Sequence, residues 1–149
     1  MQAKDIMTPD AWTCAPDTNL SEIARMMADA DCGAIPVIGA NDSRPLGVVT
    51  DRDIVLRAVA KNRNPLDTRA RDVMSHPVLT VSTEMELNEV CQLMEQQQVR
   101  RVPVVDDQGR CVGIVAQADI ARKAPEHETA ELVRDVSQPA GGNLAMPTN

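Results

Sequence analysis

The feature that most constrains this chain is an internal repeat. Asp5-Ile6-Met7-Thr8 returns 67 positions later as Asp72-Val73-Met74-Ser75. The apolar face Leu20, Ile23, Ala24, Met27 returns as Leu87, Val90, Cys91, Met94, and Ile35-Pro36-Val37 as Val102-Pro103-Val104, both at that offset. Gly47-Val48-Val49 and Asp53-Ile54 return as Gly113-Ile114-Val115 and Asp119-Ile120 at an offset of 66, so one deletion separates the halves. Register kept across so many landmarks implies two copies of one supersecondary unit. A copy of about 60 residues buries too little surface to stand alone, so the two must share a core.

Each copy reads as strand, helix, strand, strand, helix. Asp5 to Pro9 is a short leading segment closed by its proline, and Trp12-Thr13-Cys14 suits a brief strand. Thr18 or Asn19 caps a helix whose apolar positions fall at i, i+3, i+4 and i+7, and Asp31 to Gly33 end it. Ala34–Ile38 is a buried strand with Pro36 marking an edge or an opening. Leu46 to Val49 is the next strand, and a helix follows from about Asp51 to Ala60. The expected organisation is a first motif over 1–61, a linker over 62–70 and a second motif over 71–124. A C-terminal helix over 125–137, with Leu132, Val133 and Val136 on one face, and a loose tail over 138–149 complete it.

Composition narrows the function classes. Hydrophobic residues make up 43% of the chain, yet Trp12 is its only aromatic, so the core must be aliphatic and Met-rich. A net charge of −7 argues against general nucleic-acid binding, which depends on neutralising phosphates. Cys14, Cys32, Cys91 and Cys111 form no C-x-x-C pair and read as free thiols of a reducing cytosol. No apolar run approaches the roughly 18 residues of a membrane span, and no signal peptide is legible, so a cytoplasmic protein is expected.

The chemistry concentrates at Gly47–Asp53. A strand end there meets a helix start carrying a hydroxyl, two carboxylates and a guanidinium, where free N–H groups favour phosphate. The same residues have a plain structural reading: Thr50 as an N-cap, with Asp51 and Asp53 as first-turn acids. Arg52 reads either as a phosphate partner or as a solvated charge paired with Asp42. Arg100 and Arg101 either bring positive charge to a cleft or blunt a strand edge. Trp12 flanks a ligand or packs at an interface. Catalysis has little support, for neither His76 nor His127 neighbours a nucleophile and no Walker loop, Ser-x-x-Lys or H-E-x-x-H occurs. Glu126, His127 and Glu128 do not converge from one helix, so no metal is expected.

Taken together, the paired Asp-hydrophobic-Met segments, the two Pro-centred strands and the Gly-x-x-Thr-x-x-Asp of Gly47, Thr50 and Asp53 resemble a tandem pair of CBS domains, over about Lys4 to Lys123. Within that family the chain is similar to small stand-alone bacterial pair proteins of the mycobacterial hypoxic-response type. The resemblance implies an α/β (α+β) fold: two βαββα motifs packed sheet to sheet about a pseudo-two-fold. It further implies an adenine nucleotide (AMP, ADP, ATP or NAD), or S-adenosylmethionine, bound between the motifs. Asp53 would hold ribose hydroxyls, Thr50 ribose or phosphate, and Arg52, beside Asp51, the phosphate. Backbone near Cys14 and walls at Ile35 and Pro36 would receive the base. The second copy departs from the pattern, with Ala116 for Thr50 and Gln117-Ala118 for Asp51-Arg52. Asp119, helped by Arg101, should therefore make the weaker site.

The expected function is a non-catalytic energy or redox sensor that forms homodimers and acts through an unidentified effector protein, with no nucleic acid or membrane partner. The alternative is a constitutive dimeric scaffold or stress protein with empty sites, or one carrying a structural metal.

Overall fold

The computed structural model describes residues 1–123, so the expected C-terminal helix and tail lie outside the described residues. The chain opens with α1 (Ala3–Ile6) and β1 (Thr8–Pro9), then α2 (Leu20–Ala30), β2 (Ala34–Ile38), β3 (Pro45–Thr50) and α3 (Asp51–Arg57). The second copy repeats that order as α4 (Ala70–Val73), β4 (Val81–Ser82), α5 (Leu87–Gln97), β5 (Arg101–Val105), β6 (Cys111–Ala116) and α6 (Gln117–Lys123).

Local chemistry explains the boundaries. Asn19 caps α2 by accepting from Glu22 N at 2.9 Å, and Asp31 ends it in the left-handed region at φ 51°. The helix expected to reach Ala60 stops at Arg57 and continues as a 3₁₀ turn over Val59–Lys61. The Trp12–Cys14 strand shrinks to one residue, Cys14, bridged in parallel to Val37. Its counterpart Val81 is in β4 and pairs with Val104. The linker is exposed over 62–67 but its end is tied to the start of α2: Leu20 N donates to Thr68 O at 2.9 Å, and Thr68 is buried.

The strands make a two-stranded sheet, β2-β3, and a four-stranded sheet in the order β1-β6-β5-β4. β1 comes from the first copy yet pairs antiparallel with β6 of the second, Thr8 opposite Ile114 and Pro9 opposite Gly113. The mirror contact joins Ser75 to Val48, with backbone bonds of 2.9 and 3.2 Å.

The cores exchange in the same way. Ala3 and Ile6 of α1 bury among Val81, Leu87, Val90, Met94, Val102, Val104, Val115 and Ile120 of the second copy. Ala70 and Val73 of α4 bury among Leu20, Ile23, Met27, Ile35, Val37 and Val49 of the first. Each lead-in helix is a single turn that could not persist by itself, and it is held by a core it does not belong to in sequence.

This exchange gives physical content to the repeat's landmarks. Asp5 Oδ2 accepts from Gln2 N at 2.7 Å and Asp72 Oδ2 from Arg69 N at 2.9 Å, closing the first turn of each short helix. Met74 then crosses over Gly47, and Met7 over Gly113. A Cβ on Gly47 would stand 2.7 Å from Met74 Sδ, and one on Gly113 would stand 2.7 Å from Thr8 O. Two packed copies related by a pseudo-two-fold follow.

Candidate functional site

Two clefts form where each helix start faces the other copy. In the first, β3 ends at Thr50 and α3 begins at once. Thr50 Oγ1 accepts from Asp53 N at 3.0 Å, and Asp53 Oδ2 accepts from Thr50 N at 3.0 Å, a reciprocal capping box. Asp53 is only 8% exposed. Ser75 Oγ, from the other copy, donates to its two carboxylate oxygens at 3.3 and 3.4 Å. Arg57 stands 4.0 Å from Asp53 and donates to Val73 O and Met74 O at 2.9 and 3.2 Å, tying the far end of α3 to α4.

The cavity beside this helix start measures about 300 Å³. Its walls are Val48, Thr50, Arg52 and Asp53 from the first copy, and Ser75, Pro77, Val78, Leu79 and Gln98 to Arg101 from the second.

The second cleft is its pseudo-symmetric partner and is larger, about 590 Å³. Asp119, 3% exposed, lines it. Its Oδ2 accepts from Ala116 N at 2.8 Å, and Thr8 Oγ1 donates to its Oδ1 at 3.4 Å, just as Ser75 serves Asp53. Arg122 Nη2 also lies 2.5 Å from Asp119 Oδ1, where the first copy has Leu56. The opposite wall is Ala11, Trp12 and Asp31 to Ala34 of the first copy.

The structure brings Thr50, Arg52 and Asp53 together with Arg101 in one cleft. Cys14, Ile35 and Pro36 do not line it. Cys14 and Ile35 are core residues at 6% and 0% exposure, and Pro36 is buried in β2. Burial in the first place, with a lesser push from Glu22, raises the Cys14 thiol to about 12, so it packs as a neutral apolar group. The opposite wall comes instead from Val78 and Leu79, because the helix start of one copy looks at the segment between α4 and β4 of the other and at the turn before β5.

Asp51 is exposed and does not line the cleft. Arg52 makes no ion pair with Asp42, which is taken by Arg44 at 3.7 Å. Arg101 lines both clefts, whereas Arg100 lines only the first and not the Asp119 side. Trp12, 48% exposed, borders the second cleft. Ser75 and Thr8 were missed by sequence reasoning, although their hydroxyls sit at matching repeat positions. That match was the available signal.

No helix among the described residues is long and apolar enough to cross a membrane. No three His, Cys, Asp or Glu side chains among them converge to hold a metal, and Glu126, His127 and Glu128 lie outside them.

The CBS domain family model matches residues 3–59 and 70–126. The chain is 36% identical over 137 residues to hypoxic response protein 1 of Mycobacterium tuberculosis, covering 92% of this chain and 94% of that one. It is 38% identical over 121 residues to the Methanopyrus kandleri protein MK0525, where the match takes in 81% of this chain and 61% of that relative's length.

Among solved structures, Hypoxic Response Protein I with two coordinated zinc ions superposes with a TM-score of 0.75 at 37% identity, covering 84% of this chain and all of that one. The CBS pair of MJ0100, in complex with 5′-methylthioadenosine and S-adenosyl-L-methionine, gives 0.74 at 27% identity, over 82% and 94%. CBSX2 in complex with AMP gives 0.68 at 25% identity, over 83% and 95%.

The zinc-bearing relative corrects one expectation. A nucleotide was expected as the sole ligand, with no metal, on the ground that three neighbouring helix side chains cannot converge. Those three side chains are one short stretch of one chain, and a protein sharing this fold at 37% identity coordinates two zinc ions. Metal therefore stands among the ligands of such proteins. With its family model matched twice and its two motifs packed as in the solved pairs, the chain belongs to the CBS domain family, as a tandem pair.

Proposed function

We propose that this protein is a non-catalytic regulatory module that binds an adenosine-containing ligand between its motifs and passes the bound state to a partner protein. The observation that carries this reading is Asp53: a buried carboxylate at the rim of a cleft, held by Thr50 N and Ser75 Oγ from opposite motifs. A carboxylate so placed accepts well from the paired hydroxyls of a ribose. Ligation there would touch both halves of the molecule at once, and a ligand with different affinity for two packings shifts their populations. The adenosyl ligands of the MJ0100 pair and of CBSX2 support the same class.

Val55, Leu56, Val59 and Leu66 are exposed apolar side chains around α3 and the turn after it, which supports association with a second copy. A cytoplasmic location agrees with four free thiols.

The test is a thermal-shift and calorimetric screen of adenosine, AMP, ADP, ATP, NAD and S-adenosylmethionine on the full chain and on Asp53→Asn. Saturable binding that the variant loses is expected. If no compound binds, or if the variant binds equally well, the reading fails.

A second reading, a metal-bearing scaffold, is favoured by the zinc in Hypoxic Response Protein I. Elemental analysis of protein purified without chelator decides it, and a metal content far below one ion per chain would end it.

A further inference from the structure

One side chain belongs to both clefts. Among the described residues only Arg101 lines the two cavities. Its backbone opens β5 and stands opposite Ala116, the residue before α6, whose N–H donates to Asp119. Its guanidinium lies at the other motif. A Cβ on Gly33 would stand 2.9 Å from Arg101 Nη2 and 2.9 Å from Asp51 Oδ2, so the guanidinium rests beside the Asp51 carboxylate, over a residue with no side chain. Gly33 lines only the second cleft, whereas Asp51 is the first residue of α3, directly after the Thr50 cap that lines the first. Arg101 therefore reaches from one helix start to the other.

The connection has no counterpart in the reverse direction. The position matching Arg101 in the first copy is Ala34, and the one matching Gly33 in the second is Arg100. Each strand start is already tied to its own helix start: Asp51 N donates to Gly33 O at 3.0 Å, and Gln117 N to Arg100 O at 2.8 Å. The shared fold thus needs no arginine at position 101. Nor is the guanidinium locked. Arg101 is half-buried, and among the described residues it enters no ion pair within 4.0 Å. Attraction to Asp51 holds a flexible side chain without fixing it.

Resting on the adenosine reading above, we propose that Arg101 couples the two clefts, so that a ligand in the Asp119 cleft weakens binding in the Thr50–Asp53 cleft and the reverse. The guanidinium keeps to Gly33 and Asp51, on the side of the larger cleft. A ligand that fills this cavity against Gly33 takes that seat. The side chain then turns to the other space it borders, the first cleft, which measures only about 300 Å³. A ligand already in the first cleft denies it that retreat. The two sites compete over one positioning residue, and linkage makes the penalty equal in both directions.

Gly33→Ala reproduces the displacement without a ligand, because its Cβ meets only the ends of the Arg101 and Asp51 side chains and the backbone can stay. Calorimetric titration with AMP is run on the full chain, on Gly33→Ala, on Arg101→Ala and on the double variant. Asp53→Asn marks which binding belongs to the first cleft. Gly33→Ala should weaken AMP there by about fivefold, the lower end of ordinary coupling between sites. In the Arg101→Ala background the same glycine change should alter affinity by less than about twofold, since the cycle isolates the shared side chain. In an Arg101→Lys background, where stem and charge remain, part of the fivefold effect should return. Amide NMR spectra without ligand give an independent reading. Gly33→Ala should shift Val78 and Leu79, which line only the first cleft, and should not shift them once Arg101 is alanine.

AMP that binds at Asp53 with equal affinity in the unaltered chain and in Gly33→Ala would overturn the coupling and leave the adenosine reading intact. So would a loss that persists in full without Arg101. If neither AMP nor the other adenosine compounds bind, yet Val78 and Leu79 shift through Arg101, the coupling stands and the adenosine reading falls. With neither binding nor shift, both are gone.

Discussion

The two helix starts, Thr50–Asp53 and Ala116–Asp119, share a backbone and an aspartate and differ in what surrounds that aspartate. At the first, a threonine caps the helix and the carboxylate shares the smaller cleft with Arg52 of its own helix and with Arg100 and Arg101 of the other copy. At the second, alanine replaces the cap, and Arg122 reaches back to the carboxylate from within the same helix. The larger cavity belongs to the copy with the poorer motif. The repeat keeps what the fold needs, a residue accepting from the N–H at the strand end, and varies what a ligand would meet. Motif completeness and cavity size are therefore separate properties of one cleft.

The comparison breaks most visibly at the exchange of lead-in helices. Ile6 is fully buried in the second copy's core. Ile6→Ala should cost about 3 kcal/mol in urea unfolding, the usual range for a buried aliphatic cut to alanine, and amide exchange should rise first in β5 and β6. Rapid exchange confined to β2 and β3 would show that the cores are not exchanged as described.

The crossing glycines come next. Gly47→Ala and Gly113→Ala each place a Cβ against a methionine sulfur and a backbone carbonyl, the latter at 2.8 and 2.7 Å. Each should cost about 2 kcal/mol by overpacking. Similar losses at both sites are expected from the pseudo-symmetry. A loss at only one would mean that the two crossings differ.

A smaller effect tests the caps. Thr50→Ala should cost about 1 kcal/mol, whereas Ala116→Thr should gain a similar amount by accepting from Asp119 N. Chemical denaturation of both variants reads this directly, and no gain from Ala116→Thr would show that the second helix start cannot use a cap.

Arg122→Leu, which copies the first motif's residue, should change stability by less than about 0.5 kcal/mol, since the arginine is largely exposed. It should strengthen any ribose ligand at Asp119 by removing the competing donor. Unchanged affinity in titration would show that Arg122 does not occupy the acceptor.

The last prediction leaves neutral pH untouched. Cys14 has a folded value raised to about 12 from an ordinary 9.0, so the stability linked to its neutral form is complete below about pH 9 and is lost as pH rises toward 12. Cys111, raised by burial and partly offset by Gly113, should share that direction. Thiol labelling at pH 8 should modify exposed Cys32 well before Cys14. Equal labelling rates would contradict the burial of Cys14.

Much of this protein was legible from periodicity. Leu20, Ile23 and Met27 and their counterparts Leu87, Val90 and Met94 lie on the buried faces of α2 and α5, where the 3.6-residue spacing puts them. The strands around Pro36 and Pro103 and the helix starts at Asp51 and Gln117 also follow from local signals. The walls of the clefts did not. Cys14, Ile35 and Pro36 belong to the same copy as Thr50, but the side chains that share its cleft from across the molecule, Ser75, Val78 and Leu79 among them, belong to the other copy.

The sequence by itself determined the repeat, the aliphatic composition of the cores, the capping threonine and the unequal pair of helix starts, because these depend on neighbours within a turn or a strand. Only the tertiary structure decided which copy faces which. A lead-in helix of one turn has no stability of its own and goes wherever apolar surface is open, and here that surface belongs to the other motif. That choice sets Met7 and Met74 over the glycines, delivers Thr8 and Ser75 to the aspartates, and carries Arg100 and Arg101 to the cleft of Thr50.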